Sequence, residues 1–236
     1  VNKQILKKKG SFTLELDERR LEVINRVVEE KGEAAIPDLL SLMEKNEDDP
    51  ELIEMTIEVL RRMDEKIIDS LREYLRDKQK RLNANPREYK EEAYRTTLLV
   101  VIDLVGELGY QEDIPLIESF LGVFDQEKAH LIIYEAIAKL GGGSKYLDLL
   151  ELLAFEDDFT EEMIEQVIMT LSYIDEPRAL FDLLKITKFE WLDVNQKIMV
   201  ENGLKRLLGF HKEFYELLEK DPYGKKVLKR LLEVNE

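Results

Sequence analysis

Two histidines, no cysteine and fifty-one carboxylates define the chemistry open to this chain of 236 residues. Glu127 and His130 stand three residues apart, the E-x-x-H spacing that puts two metal ligands on one helix face in carboxylate-bridged di-iron bundles. Such a centre needs a second copy, and the other histidine, His211, has Leu208 three residues before it. His130 is therefore expected to be a packed, hydrogen-bonded side chain, in a column shared with the apolar Ile53, Leu98, Ile164 and Ile198. Gly141-Gly142-Gly143-Ser144-Lys145 offers backbone amides of the kind that cradle phosphate at a helix start. A phosphate loop, however, follows a strand and carries Lys before Ser or Thr, so the run reads as an inter-helix turn with Ser144 as N-cap. The pairs Asp157-Asp158 and Glu161-Glu162 crowd a helix start near Thr160, where negative charge suits exposed amides. Without cysteine there is no disulfide, thiolate metal site or thiol nucleophile, and no Gly-x-Ser-x-Gly elbow occurs. The expectation is a non-enzymatic protein with no metal and no cofactor.

The elements that would position any binding surface are helical. Apolar residues recur at spacings of three and four, as in Leu21, Ile24, Val27 and Val28, in Leu39, Leu40 and Met43, or in Ile164, Val167, Ile168 and Leu171. Strand-like alternation is confined to Phe12, Leu14 and Leu16, so the chain is predicted to be all-α. Pro37, Pro50, Pro86, Pro115, Pro177 and Pro222 all fit the first turn of a helix, with Asp49, Asn85 and Asp221 as N-caps. Gly32, Gly109, Gly141 to Gly143 and Gly209 follow periodic segments, where a left-handed residue ends a helix.

The pattern repeats. The first apolar residue after each stop is Ile36, Ile68, Ile114, Tyr146, Leu180 and Phe214, at intervals of 32, 46, 32, 34 and 34 residues. Each interval holds two helices, the second ending in a similar phrase: EVLRRMDE, DLVGELGYQ, EAIAKLGGG, MTLSYIDEP and LKRLLGFHK. The long interval contains a basic stretch, Lys78 to Lys90, expected to be an insertion within the second helix pair. On DQEKAHLIIYEAIAKLG (Asp125 to Gly141) and LVVIDLVGELG (Leu99 to Gly109) the chain resembles the HEAT and HEAT-like repeat family, over residues 1–236 as one domain. The family's inter-helix Asp is present as Asp125, while the Val-Arg pair that often follows is replaced by Lys128 and His130. The resemblance implies an α-α superhelix, a right-handed solenoid of about six antiparallel helix pairs whose second helices line one surface.

A net charge of −16 repels a phosphate backbone, which argues against nucleic acid as partner. No apolar run reaches the ~20 residues of a membrane span, and the start lacks a signal-peptide core, so the cytosol is the expected compartment. The charge-rich, cysteine-free composition leans towards a thermophilic source. Aligned second helices present two polar-to-apolar columns, Glu58, Asp103, Glu135, Met169, Gly203 and Arg62, Glu107, Lys139, Tyr173, Leu207, which are expected to share an exposed face. The gradient predicts a scaffold for a protein or peptide, with acid attracting a basic segment and Met169, Tyr173 and Leu207 as apolar anchors. Lys78, Lys80, Arg81, Arg87 and Lys90 of the insertion form the candidate second contact site, in a loop expected to add little to the core. The alternative that the resemblance raises is a HEAT-like glycosylase acting on alkylated DNA, which works with aromatic residues and a carboxylate in a basic cleft. Here the lone tryptophan, Trp191, lies in an inter-helix segment, KFEWLDV.

Overall fold

The computed structural model describes residues 18–84, 95–155 and 161–233. Among them thirteen α-helices succeed one another and no strand occurs. They are α1 (Glu18–Glu30), α2 (Ile36–Lys45), α3 (Pro50–Arg62), α4 (Ile68–Ala84), α5 (Arg95–Leu108), α6 (Ile114–Glu118), α7 (Glu127–Lys139), α8 (Leu147–Phe155), α9 (Glu161–Ser172), α10 (Pro177–Ile186), α11 (Val194–Phe210), α12 (Glu213–Lys220) and α13 (Pro222–Glu233). The all-helical expectation holds for the described residues, while Phe12, Leu14 and Leu16 lie outside them. No described helix is long and apolar enough to cross a membrane.

The chain forms two compact units, residues 1–136 and 137–236. In the first, α2 pairs with α3 and α4 with α5, while α1 packs on α3 and α2 on α5. In the second, the pairs are α8 with α9, α10 with α11 and α12 with α13, and like helices of adjacent pairs also meet, α8 with α10 and α9 with α11. Each pair buries the apolar stripe that the three-and-four spacing predicts, with Ile36, Leu60, Leu71 and Ile102 fully enclosed in the first unit and Leu150, Ile164, Leu180 and Leu204 in the second. Close approach is built in at Gly106 of α5, where any Cβ would stand 2.6 Å from the Cα of Ala136 on α7.

Short 3-10 turns, Gly32–Ala35, Asp64–Ile67, Gln111–Asp113 and Gly143–Tyr146, lead into α2, α4, α6 and α8. Pro37, Pro50, Pro115, Pro177 and Pro222 sit in first turns as predicted, and the Asp49 carboxylate caps α3 by accepting from the amides of Glu51 and Leu52 at 3.1 Å. Asn85 and Pro86 lie outside the described residues. The left-handed stops are real at Gly32 (φ +52°) and Gly141 (φ +85°). Gly109 is not left-handed, and Gly209 falls within α11 rather than after it. Instead Asp64, after α3, takes φ +57° with a side chain attached. An L-residue pays for that conformation, Asp less than most. Asp64→Gly is thus expected to raise the chemical unfolding midpoint by an amount worth roughly 0.5 kcal/mol, the relief of strain exceeding the added freedom of the unfolded chain. A lowered midpoint would show that the Asp64 side chain contributes more than its backbone costs.

The basic insertion is not a loop at its start. Residues Lys78 to Ala84 continue α4, and Lys78 is buried, its ammonium paired with Glu44 of α2, which also accepts from the Tyr74 hydroxyl at 2.7 Å. Lys78 is therefore not a surface contact residue, and cutting out residues 78–84 would remove helix and the buried Lys78 rather than a dispensable turn. Lys80 is exposed, Arg81 pairs with Asp77 at 2.9 Å, and Arg87 and Lys90 lie outside the described residues.

Candidate binding surface

The second helices place the two predicted columns unequally. On α3, Glu58 and Arg62 are one turn apart and form an ion pair at 2.8 Å, and Arg62 also donates to Asn25 Oδ1 of α1 at 2.7 Å. The adjacent Arg61 forks onto Glu107 of α5 at 2.9 and 2.7 Å and stands 3.7 Å from Asp103. Successive second helices of the first unit are thus laced by arginines, and the acids offered to a basic partner are already largely matched. Asp103 and Glu135, expected on the exposed face, are buried. The reason lies in their helices: residues 101–106 of α5 and 131–138 of α7 are all buried, so neither helix has a solvent face at those positions.

In the second unit the columns bring an aromatic and two cations together. Tyr173, just past α9, has the Lys139 ammonium 5.6 Å and the Arg206 guanidinium 4.4 Å from its ring centroid. Arg206, on α11, also lies 4.9 Å from the ring of Phe210 and donates to the Ser172 carbonyl at 2.8 Å, a group otherwise orphaned at the end of α9. Phe210 is 69% exposed. Met169 and Tyr173 are half-buried, but Leu207 is fully buried and Gly203 packs against Ser172 and Leu183, so neither belongs to an exposed face. Arg206 and Phe210 stand outside both columns. Their signal was in the phrase LKRLLGFHK, where Phe210 falls four residues after Arg206 and out of phase with the buried leucines.

Other expectations resolve locally. The Nε2–H of His130 donates to the carbonyls of Leu121 (3.0 Å) and Phe124 (2.7 Å), so this nitrogen ties down the turn before α7, while Glu127 is exposed at the start of that helix. Of the column that His130 shares, Ile53, Leu98 and Ile164 are buried, whereas Ile198 is 49% exposed. The Ser144 hydroxyl does not cap a helix; it donates to Glu176. Asp157, Asp158 and Thr160 lie outside the described residues, as do the side chains of Glu161 and Glu162. Among the described residues no group of His, Asp and Glu is arranged to hold a metal ion.

On the first helices of the second unit, Arg178 binds both Asp148 and Glu151, and Lys185 binds Glu151 (2.8 Å) and Asp182 (2.7 Å). Asp182 is wholly buried, and its second carboxylate oxygen has no partner. Burial pushes the Asp182 carboxyl above the ordinary carboxylate value despite Lys185, whereas Lys185 and Arg178 hold Glu151 below it. Trp191 lies between α10 and α11, as expected, but its sequence neighbourhood is acidic: Glu190 and Asp193 are both exposed. No family model, curated protein or solved structure matches this chain.

Proposed function

We propose that the protein is a non-enzymatic scaffold of HEAT-like helix pairs, stacked as a right-handed solenoid, that holds a protein or peptide along its second helices. The observation that carries this reading is the group formed by Lys139, Tyr173, Arg206 and the protruding Phe210, which offers an apolar anchor beside two cations held on one ring. The acidic part of the face suits a basic segment less well than the sequence suggests, because Arg61 and Arg62 already engage Glu58, Asp103 and Glu107. The partner chemistry that best fits this group is a peptide with an apolar or aromatic side chain to set against Tyr173 and the exposed Phe210, since Arg206 already donates to the Ser172 carbonyl and stands 3.9 Å from Asp175. Glycosylase chemistry draws no support from the surroundings of Trp191, where a phosphate backbone would meet Glu190 and Asp193.

Selection of phage-displayed random peptides on the wild-type chain, with each hit re-measured on a Tyr173→Ser/Phe210→Ser variant, tests the reading. Enriched peptides are expected to share an apolar or aromatic residue and to bind the variant at least tenfold more weakly. Enrichment that ignores the variant, or none at all, removes the second-helix face as the binding surface.

A further inference from the structure

Among the described residues three buried side-chain polar atoms have no hydrogen-bond partner, and one of them belongs to a carboxylate, Asp182 Oδ2. The Asp182 side chain lies wholly out of water on α10, and its other oxygen, Oδ1, accepts from the Lys185 ammonium at 2.7 Å. Asp113, the buried aspartate before α6, is supplied differently. Arg72 fills both of its oxygens, at 2.7 and 2.8 Å, and the Tyr110 amide adds a third bond at 2.9 Å. Asp182 has a single donor, which it shares with Glu151. A charge with an empty oxygen in a dry interior is costly, whereas a neutral carboxyl short of one partner costs far less.

The surroundings keep their contacts when that charge is removed. Arg178, Asp182 and Lys185 recur at four and three residues along α10, and their partners Asp148 and Glu151 stand three apart on α8. Arg178 binds both α8 acids and Lys185 reaches Glu151 at 2.8 Å, so three ties join the two helices without Asp182. A proton on Oδ2 would leave Oδ1 accepting from Lys185 and every one of these ties in place. Burial, the largest influence, lifts the Asp182 carboxyl above its ordinary value; Lys185 and Arg178 of its own helix oppose this, and Glu151 of α8 adds to it. Ionisable groups on the other helices packed against α10 turn elsewhere. Glu165 of α9 accepts from Gln196, Glu201 of α11 pairs with Arg230, and Arg206 donates to the Ser172 carbonyl. On α12, Glu213 stands at His211, and Glu216 and Glu219 are exposed.

We propose that Asp182 is a proton-operated latch on the seam between α8 and α10. With a proton on Oδ2 the seam is dry and closed; when the proton leaves, water enters between the helices to satisfy the charged oxygen, and the seam loosens. The direction follows from linkage. A carboxyl raised by folding contributes stability that is present in full below its unfolded pKa, about 3.9, and is lost as pH rises through the folded value. Mild acid therefore tightens the second unit, the opposite of its effect on a carboxylate held as Asp113 is.

The test follows the full chain from pH 4 to pH 8 in two ways. In protein labelled with ¹³C at the aspartate carboxyls, the Asp182 signal, assigned through bonds from its own backbone, is expected to titrate at higher pH than the bulk of the aspartates. Amide exchange read by mass spectrometry and corrected for intrinsic rates should show the protection of α8 and α10 falling about tenfold between pH 5 and pH 8. In Asp182→Asn, which carries the neutral shape at every pH, that protection should stay level, and α3 of the first unit should not respond in either protein. An Asp182 signal that titrates with the other aspartates overturns the proposal even if the variant fails to fold, as does one that holds its proton throughout. Protection of α8 and α10 that is level in wild type, or that falls equally in Asp182→Asn, overturns it as well.

Discussion

Gly106→Ala is expected to destabilise the first unit by about 3 kcal/mol or more, enough to appear as a large fall in the urea midpoint followed by circular dichroism. The added methyl carbon would stand 2.6 Å from the Cα and 2.7 Å from the Cβ of Ala136, far inside the ~3.5–4.0 Å at which carbons rest in contact. Both obstacles are fixed to a helix backbone, so no rotamer relieves the clash. α5 and α7 would have to move apart, opening the packing around the fully buried Ile102, Val105 and Ile133. The same substitution at Gly209, inside α11 with nothing within 4 Å of the new Cβ, should instead stabilise by up to about 1 kcal/mol, because alanine suits a helix interior better than glycine. Opposite signs from one chemical change isolate the crossing as the cause. A Gly106→Ala midpoint indistinguishable from wild type would mean that the two helices are not that close.

The second large effect concerns Arg72 and Asp113. Asp113, in the 3-10 turn before α6, is buried and accepts two bonds from the Arg72 guanidinium of α4, at 2.7 and 2.8 Å, and one from the Tyr110 amide at 2.9 Å. Arg72→Met leaves that carboxylate buried with one donor, and breaking such a pair typically costs about 3–5 kcal/mol. The pH dependence gives the sharper signature. Burial, the largest single influence, raises the Asp113 carboxyl, but the Arg72 hydrogen bonds, the Tyr110 amide and the charges of Arg72 and Arg76 together hold the group below its ordinary value of 3.8. A carboxyl lowered by folding contributes stability that is present above its unfolded pKa, about 3.9, and is lost as pH falls through the folded value. In wild type this pair therefore contributes in full at pH 5 to 7 and fails only in stronger acid. In Arg72→Met burial acts unopposed by the guanidinium, the folded carboxyl rises above its unfolded value, and the penalty shrinks as the buried group takes up a proton. The stability deficit of the variant should accordingly narrow between pH 7 and pH 4. A deficit that stays constant or widens over that range would show that Asp113 is not held by this pair.

What the sequence made legible was periodicity. Ile36 and Ile68 open helices because each begins an apolar stripe after a turn, and five prolines mark first turns because a missing amide costs nothing there. Stops were less legible. Gly32 and Gly141 are left-handed, but Asp64 does the same work with an ordinary residue type, and no glycine rule finds it. Exposure was the least legible property. Asp103, Glu135 and Leu207 share columns with residues that do reach solvent, and what encloses them is the neighbouring helices, which a column of letters does not contain. Lys78 is the same lesson in a charge: its partner, Glu44, stands thirty-four residues earlier, so a basic stretch that reads as solvated is partly an internal tie. Conversely Ile198 sits in an apolar column yet is half exposed to water, because the register of letters does not say how far a neighbouring helix extends.

Helices that pair with their sequence neighbours also set how the chain comes into being. In the first unit α2 meets α3 and α4 meets α5, so the ends that must find one another are separated by short stretches of chain, and little loop entropy is lost before contacts form. Synthesis delivers residues in the same order as packing needs them. By the time Leu108 has left the ribosome, α1 to α5 have all emerged with the apolar faces they share, and a nascent chain of that length can begin to hide its leucines and isoleucines while the rest is still being translated.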